Sequence, residues 1–274
     1  MNRFLVWGAI LTAVTVAACA DVGSGPEVPA AIELPPFPFP SVVVGDTLRN
    51  EAGAVAPVRA IVRNSSGDII TGARPTYLYA DFLRDTAFLV DTATGIVVAR
   101  KQIREGRIAA RIGSSLQVLR PLMSTVRPDT VDAGNRIDAL IVSLLPDTGR
   151  ARAEGNTTRE LGVVVRNRQG AAPVGVGGWL VRFQLIKPAN PTNDTSAAVY
   201  LVDERLSASA VDTTSDDGSA GRRVRVRAAR FPVPQGNARV TDTIIVEATL
   251  RYRGQLVRGA PIRLIAPVVR PASQ

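Results

Sequence analysis

The chain has 274 residues and a net charge of +9, with 46% hydrophobic residues, 5% aromatic residues, one cysteine and no histidine. Without histidine it lacks a Ser-His-Asp triad, a Cys-His pair and any histidine-based zinc site, and a single cysteine excludes an internal disulfide. Valine, isoleucine, threonine and alanine predominate, and prolines and glycines punctuate the whole chain, a composition that favours short β-strands. We therefore predict an all-β protein that is not an enzyme and holds no cofactor or metal.

The first 18 residues are predicted to be a signal peptide. Arg3 gives the chain a positive start, and Phe4 to Ala18 is an uncharged apolar run. A helix needs about 20 apolar residues to cross a bilayer, so this run is short for a permanent span. A positive start, an apolar stretch of this size and small residues at its end are typical of a secretory signal peptide.

The last residues of this segment carry a more specific signal. The string Val16-Ala17-Ala18-Cys19 resembles the lipobox of bacterial lipoproteins. The resemblance implies that the signal, residues 1–18, is cut just before Cys19, whose sulfur takes a diacylglycerol and whose new N-terminus is acylated. Two or more acyl chains anchor a protein stably, so Cys19 is the predicted lipid attachment site of an exported protein at the bacterial membrane, expected to be the outer membrane. The alternative is an ordinary signal peptide with an incidental cysteine.

Residues 19–40 are predicted to be a tether behind the lipidated cysteine. Six prolines lie between Ala20 and Pro40, and a proline-rich segment has few backbone donors and stays extended. Such a tether lifts the folded part of the chain off the membrane. The alternative is that Phe37 and Phe39 dock on the first domain.

A short repeat divides the rest of the chain. The string VRNSSG at 62–67 recurs 103 positions later as VRNRQG at 165–170. In both copies an alternating strand runs into Asn-x-x-Gly, which closes a tight turn. A period near 100 residues matches the size of an immunoglobulin-like sandwich. We predict two tandem sandwiches, at residues 41–125 and 126–274.

Longer strings in both halves are similar to known families. The first half resembles the bacterial immunoglobulin-like group 2 domain through VVVGDTL (42–48), VRAIVRNSSGDIITGA (58–73), TAFLVDTATGIVVA (86–99) and EGRIAARIG (105–113). Tyr77 to Asp81 stand where that family has Trp-Ser-Ser. The second half is similar to the invasin-type group 1 relative through AAPVGVGGWLVRF (171–183), TTSDDGSAGRRVRVRA (213–228) and DTIIVEATL (242–250). Both resemblances imply β-sandwich modules that serve adhesion, carbohydrate contact or spacing.

One acidic string deserves comparison with a calcium loop. The string carries oxygen ligands at Asp212, Thr214, Asp216 and Asp217. A calcium loop has glycine at its sixth position and a bidentate glutamate at its twelfth. This string has neither. We therefore predict a solvated hairpin turn rather than a metal site.

Three arginines alternate with apolar residues in the second half. Arg223, Arg225 and Arg227 are separated by Val224 and Val226, and period two places the three guanidinium groups on one sheet face, about 7 Å apart. One interpretation is a charged outer face that keeps the sheet soluble. The other is a ridge that binds carboxylates or phosphates, such as those of an anionic polysaccharide, through bidentate contacts, with Arg222 and Arg230 as additional members. Nucleic acid is not an expected partner, because few aromatic residues are available for base stacking.

These observations predict a non-catalytic, envelope-anchored lipoprotein that displays immunoglobulin-like modules for adhesion or binding at the cell surface. The first alternative is a structural or assembly subunit that binds other envelope proteins through strand edges. The second is an enzyme with a carboxylate-based site that the spacing of Asp and Glu does not show.

Overall fold

The computed structural model describes residues 25–142, 155–232 and 239–271. The predicted signal peptide and Cys19 lie outside these ranges. Within them the chain forms twenty β-strands, so the predicted all-β class is confirmed. Strands β1 to β8 make the first domain and strands β9 to β20 make the second.

The first domain pairs its strands in three sheets. A four-stranded sheet has the order β2-β8-β7-β4, and β1-β3 and β5-β6 are two-stranded. The bounds are β1 Ala31–Glu33, β2 Ser41–Val43, β3 Ile61–Arg63, β4 Thr76–Tyr79, β5 Phe88–Val90, β6 Val97–Ala99, β7 Ile103–Ile112 and β8 Leu116–Thr125.

The second domain stacks two five-stranded sheets. One has the order β10-β20-β17-β13-β15, and the other has the order β12-β11-β16-β14, with β9 also paired to β11. The bounds are β9 Thr130–Ala133, β10 Leu140–Ile141, β11 Leu161–Asn167, β12 Val174–Gly175, β13 Leu180–Lys187, β14 Val199–Val202, β15 Val211–Thr213, β16 Ser219–Val226, β17 Val240–Thr249, β18 Arg251–Tyr252, β19 Gln255–Leu256 and β20 Ile262–Arg270.

The two domains share one strand plan. In each, an early short strand runs parallel to the last long strand, as β2 with β8 and β10 with β20. In each, the first strand pairs antiparallel with the strand of the sequence repeat, as β1 with β3 and β9 with β11. These pairings place the same elements in the same order, as expected for two tandem immunoglobulin-like sandwiches.

The repeated asparagine has the same role in both domains. Asn64 and Asn167 are buried, and the side-chain oxygen of each accepts a backbone N–H two residues further on, from Ser66 and Gln169. The Nδ2 of each donates to a carbonyl of the segment that leads into the first strand, Pro26 in one domain and Arg127 in the other at 2.8 Å. The short sequence repeat therefore marks a repeated connection between the first strand and the strand that it pairs with.

The second half of the predicted tether is docked rather than free. Strand β1 pairs with β3, and the carbonyl of Leu34 accepts a hydrogen bond from Arg120 at 2.8 Å. Leu34 and Phe39 are buried in the hydrophobic core. The prolines do not keep this stretch extended in solvent, because the apolar residues between them gain a core to pack against. We therefore expect the first domain to begin before β1. Phe39 is docked, but its ring packs against Trp179 of the second domain rather than on the first domain alone, as the alternative interpretation had it.

Candidate functional site

The structure places Arg223 and Arg225 on the outer face of β16, and Arg227 follows directly after the strand ends at Val226. Val224 and Val226 point into the core and are fully buried, whereas Arg223, Arg225 and Arg227 are half-buried on the opposite face. This face belongs to the sheet that contains β11, β16 and the edge strand β14. We call these three residues the arginine ridge.

Tyr200 of β14 lies directly beside the arginine ridge. It pairs with Arg225 across the two strands, and the guanidinium carbons of Arg225 and Arg227 lie 5.8 and 5.4 Å from the centre of its ring. Both distances are within the range of a cation–π contact. Tyr200 is 5% exposed although it is not part of the main core cluster. The arginine side chains therefore cover the tyrosine ring.

The neighbours of the arginine ridge are of mixed charge. Burial raises the pKa of Glu160, and the nearby carboxylates of Asp212 and Glu204 raise it further, while Arg223 lowers it. Arg222 does not add to the ridge, because it is buried, donates to the carbonyl of Val211 and pairs with Asp212. Arg230 is exposed in the turn that follows β16.

On the other outer face of the second domain, positively and negatively charged side chains lie next to each other. Lys187 of β13 pairs with Asp242 at 2.9 Å, and Glu247 of β17 lies opposite Arg263 of β20. Arg182 of β13 donates to Glu51 of the first domain. The sheet of the arginine ridge also contains ion pairs, those of Arg166 and Arg168 with Asp132.

The acidic string near residue 215 is a turn whose carboxylates are already engaged. Hydrogen bonds from Ser215 and Ser219 lower the pKa of Asp217 to about 2. Asp212 accepts the amide of Gly221 at 2.8 Å and pairs with Arg222, and Asp216 pairs with Arg104 of the first domain. Among the residues that the structure describes, no group of three or more His, Cys, Asp or Glu side chains is placed to hold a metal ion.

A cleft in the first domain brings carboxylates together without the properties of an acid–base pair. Asp81 forms an ion pair with Arg107, and the hydrogen bond from this arginine lowers the pKa of the carboxyl. Asp85 accepts the Tyr79 hydroxyl at 2.8 Å, and the pKa of Tyr79 is raised by burial and by this carboxylate. A general acid needs a carboxyl with a raised pKa, whereas the pKa of Asp81 is lowered.

The contact between the domains has a buried carboxylate at its centre, which the sequence did not single out. Asp46 is 5% exposed and accepts hydrogen bonds from Arg49, from the Tyr252 hydroxyl at 3.0 Å and from Arg253 at 2.8 Å. Burial alone would raise the pKa of Asp46, but the bonds from Arg253, Arg49, the Thr47 amide and Tyr252 outweigh it and hold the pKa well below its usual range.

Aromatic packing surrounds this carboxylate. Trp179 lies between Phe39 and Tyr252, with ring centres 5.0 and 6.0 Å away. The guanidinium groups of Arg127 and Arg253 lie over the Tyr252 ring at 5.3 and 5.5 Å. We call this contact, formed by Phe39 and residues 41–54 with residues 178–182 and 251–254, the interdomain joint.

Strand β16 begins near the interdomain joint and leads away from it. Ser41 donates to the carbonyl of Gly178 at 2.6 Å, and the amide of Gly178 donates to the carbonyl of Thr214. Strand β16 starts just after this turn, at Ser219, and Arg223 to Arg227 follow along it. In the first domain, Leu34 lies level with Arg120 in the middle of β8, whereas Ser41, which contacts Gly178 of the joint, pairs with Met123 near the end of β8.

No protein-family model matches the sequence, and no curated protein matches it. Among solved structures, the chain is similar to domains 4 and 5 of the S-layer protein SbsC, with 9% identity, a TM-score of 0.29, and coverage of 89% of this chain and 99% of that chain. It is also similar to the Escherichia coli adhesin FdeC, with 14% identity, a TM-score of 0.26 and coverage of 89% and 63%. A third similar structure is that of zebrafish RET cadherin-like domains 1 to 4, with 11% identity, a TM-score of 0.29 and coverage of 85% and 46%.

The chain thus spans less than two thirds of the adhesin and RET chains. The strand order, rather than these likenesses, identifies the fold. In the described part of the chain, no helix is long and apolar enough to cross a membrane.

Proposed function

We propose that this chain is a non-catalytic bacterial envelope lipoprotein that displays two immunoglobulin-like domains and binds acidic polysaccharide through the arginine ridge. Cys19 is its lipid anchor, and the chain is exported and held at a membrane surface. The observation that carries the proposal is the row of three alternating arginines on one face of the second domain, with Arg223 and Arg225 on β16 and Arg227 directly after it.

The geometry supports contact with a polymer of repeated acidic groups. Alternate residues of a strand are about 7 Å apart, so the arginine ridge presents guanidinium groups at regular intervals. A guanidinium forms bidentate hydrogen bonds with carboxylate and sulfate groups. The compensated opposite face, where Lys187 pairs with Asp242, offers no comparable row.

The position of the arginine ridge supports display. The predicted anchor precedes the first domain in the chain, and the chain passes the middle of β8 at Leu34 before it reaches the interdomain joint at Ser41. The ridge runs onward from the joint along β16. The order along the molecule is therefore anchor, first domain, interdomain joint and arginine ridge, which directs the ridge away from the anchored end.

The test is binding of a fluorescent heparin oligosaccharide to the full chain in detergent. Wild type is expected to bind at 0.1 M salt and to release the probe towards 1 M, since the Debye length shrinks from about 10 Å to about 3 Å. Changing Arg223, Arg225 and Arg227 together to Gln is expected to weaken binding at least tenfold more than the matched control, in which the exposed Arg136, Arg159 and Arg258 become Gln. Equal loss in the two triple variants would show diffuse attraction and overturn the assignment to the ridge.

The interdomain joint favours a second function, that of a structural subunit which holds envelope partners at a fixed spacing. Asp46 and the packing of Trp179 against Phe39 and Tyr252 connect the domains through buried contacts. Crosslinking in native membranes followed by purification is the test of this function. Recovery of a fixed set of envelope proteins in constant proportion, which the ridge variants do not alter, would favour assembly over polysaccharide binding.

A further inference from the structure

Part of the solvent-facing side of the sheet that contains β20 is apolar. A sheet with one face on the core normally alternates between apolar residues that face inward and polar residues that face water. In β20 the alternate residues that face the core are buried. The residues between them, on the side turned to solvent, are apolar as well: Ile265, Pro267 and Val269.

The edge strand beside β20 extends this apolar surface. Strand β10 and the segment before it run parallel to β20 in a register that pairs Ile141 with Val269 and Ile137 with Ile265. The same register brings Ala139, midway between the two isoleucines, level with the proline of β20. Ile137 and Ile141 are 59% and 69% exposed. We call the resulting set the apolar face; its members are Ile137, Ala139, Ile141, Ile265, Pro267 and Val269.

The apolar face is large enough to be an interaction site. On its inner side Ile245 of β17 lies opposite Ile265, which widens the apolar surface to a third strand. Neighbouring strands are about 4.8 Å apart and alternate residues about 7 Å apart, so these side chains cover roughly 250 Å². Exposed apolar patches of a few hundred Å² are often functional.

The charges at the border of the apolar face are nearly balanced. Lys187 pairs with Asp242 at 2.9 Å, and Glu247 lies opposite Arg263. Other charged residues at this border are Arg136, Asp138 and Arg239. Four positive and three negative side chains thus border the face, whereas the chain as a whole has a net charge of +9.

We propose that the apolar face is the contact between two copies of this chain, packed face to face about a twofold axis. Two copies that each carry +9 repel one another over most of their surfaces, since like charges in contact are costly. The apolar face, with its nearly neutral border, is where they can meet. A twofold axis brings the same patch of both copies together, so a border that holds both signs can form ion pairs with its own copy.

The size of the face predicts a weak and reversible dimer. The outer side of β10, β20, β17 and β13 measures about 20 Å by 25 Å, so two copies bury about 1,000 Å², at the low end for specific interfaces. We therefore expect a Kd on the order of 10–100 μM. The arginine ridge lies on the other sheet of the sandwich. The dimer leaves it uncovered, and this inference does not depend on polysaccharide binding.

Sedimentation velocity of the full chain in a density-matched detergent tests the association. Wild type is expected to show a monomer–dimer equilibrium that is as strong at 1 M salt as at 0.1 M, because the contact is apolar. Ile141→Asp is expected to weaken it at least tenfold, because two carboxylates would be buried in the contact. Ile69→Asp is the matched control, since Ile69 is a 55% exposed isoleucine of the first domain, and it is expected to associate like wild type. Monomers at every concentration up to 300 μM, or equal association by the two variants, would overturn the proposal.

Crosslinking in native membranes tests the same contact without purification. Thr243 of β17 lies opposite Pro267, so Thr243→Cys is expected to give a covalent dimer with a short bis-maleimide. Thr71→Cys, at an exposed position of the first domain, and wild type, whose one cysteine is Cys19, are expected to stay monomeric. Equal crosslinking of the two variants would contradict a contact at this face. A fluorophore on Thr243→Cys that brominated lipids quench in reconstituted vesicles would show a bilayer as the occupant instead and would also overturn the proposal.

Discussion

Asp46 and Arg253 form an ion pair of 2.8 Å between the two domains, although 207 positions separate them in the chain. The carboxylate is nearly inaccessible to solvent, and the side chain of Arg253 is half exposed. Tyr252 donates to the same carboxylate oxygen, Oδ2. One residue of the first domain is thereby bound by two consecutive residues of the second, which makes Asp46 the polar centre of the interdomain joint.

Replacing Asp46 by Asn is expected to loosen the interdomain joint. The substitution removes the charge that Arg49 and Arg253 share, and hydrogen bonds to charged groups contribute about 1.5–3 kcal/mol each. The distribution of distances between spin labels on the two domains, measured by pulsed electron–electron double resonance, is expected to broaden. Glu33→Gln, which removes the surface pair with Arg63, is the matched control and is expected to change stability by less than about 1 kcal/mol. Unchanged distances in the Asp46 variant would contradict a structural role for this carboxylate.

The interdomain joint is expected to be insensitive to pH from neutral down to about pH 4. The folded-state pKa of Asp46 lies below its ordinary value of 3.8. The stability that this carboxylate contributes is therefore fully present above that value and is lost as the pH falls through the folded pKa. The same spin-label distances, measured between pH 7 and pH 2, check this. Opening between pH 7 and pH 5, or identical acid behaviour in Asp46→Asn, would contradict the assignment.

Gly254→Ala is expected to separate the domains, and Gly67→Ala is its control. Both glycines have positive φ, at 77° and 89°, a region that costs other residues about 1–2 kcal/mol. A Cβ on Gly254 would collide with the backbone carbonyl of Ala52 in the first domain, whereas a Cβ on Gly67 meets nothing within 4 Å. We expect the Gly254 variant to lose more stability in thermal melting and to show broadened interdomain distances. Equal losses in the two variants would mean that the close approach is not needed.

The docked half of the predicted tether gives a prediction about fragments. Residues 25–125 are expected to fold when expressed alone, because they include β1 and the buried Leu34. Residues 41–125 lack both and are expected to be less stable by several kcal/mol, since each buried leucine contributes about 1.5–3 kcal/mol. Urea titration followed by circular dichroism measures the difference. Equal midpoints for the two fragments would place the domain start at residue 41 after all.

Independent folding of the second half, residues 126–274, stays a prediction as well. Trp179 is 5% exposed in the full chain, partly because Phe39 of the first domain covers it. In the isolated half its fluorescence is expected to shift to longer wavelength while the fragment still unfolds in one cooperative step. A disordered fragment would show that the two halves form one folding unit.

Cys19→Ser tests the anchor. If Cys19 carries the lipid, the variant is expected to accumulate as uncleaved precursor and to lose labelling by radioactive palmitate. The measurement is gel mobility together with autoradiography of membrane fractions. A membrane-bound variant of mature size would refute lipidation and leave an ordinary signal peptide as the explanation of the apolar start.

The sequence by itself determined the class of fold and the faces of individual strands. The alternation around Arg223, Arg225 and Arg227 predicted their common face, and the repeat at 62–67 and 165–170 predicted two similar domains. These inferences succeed because side chains alternate across a strand with period two. That property depends only on neighbouring residues.

The tertiary structure decided which distant residues meet. Asp46 with Arg253, and Phe39 with Trp179, carry no local signal in the sequence, because an aspartate after glycine and a phenylalanine between prolines also suit an exposed turn and an exposed tether. Likewise, the sequence around Tyr200 has the pattern of an ordinary strand. Only the pairing of β14 with β16 brings this residue beside Arg225. Packing of surfaces made by separate parts of the chain, not the pattern within any one part, determines whether such residues are buried and which partners they have.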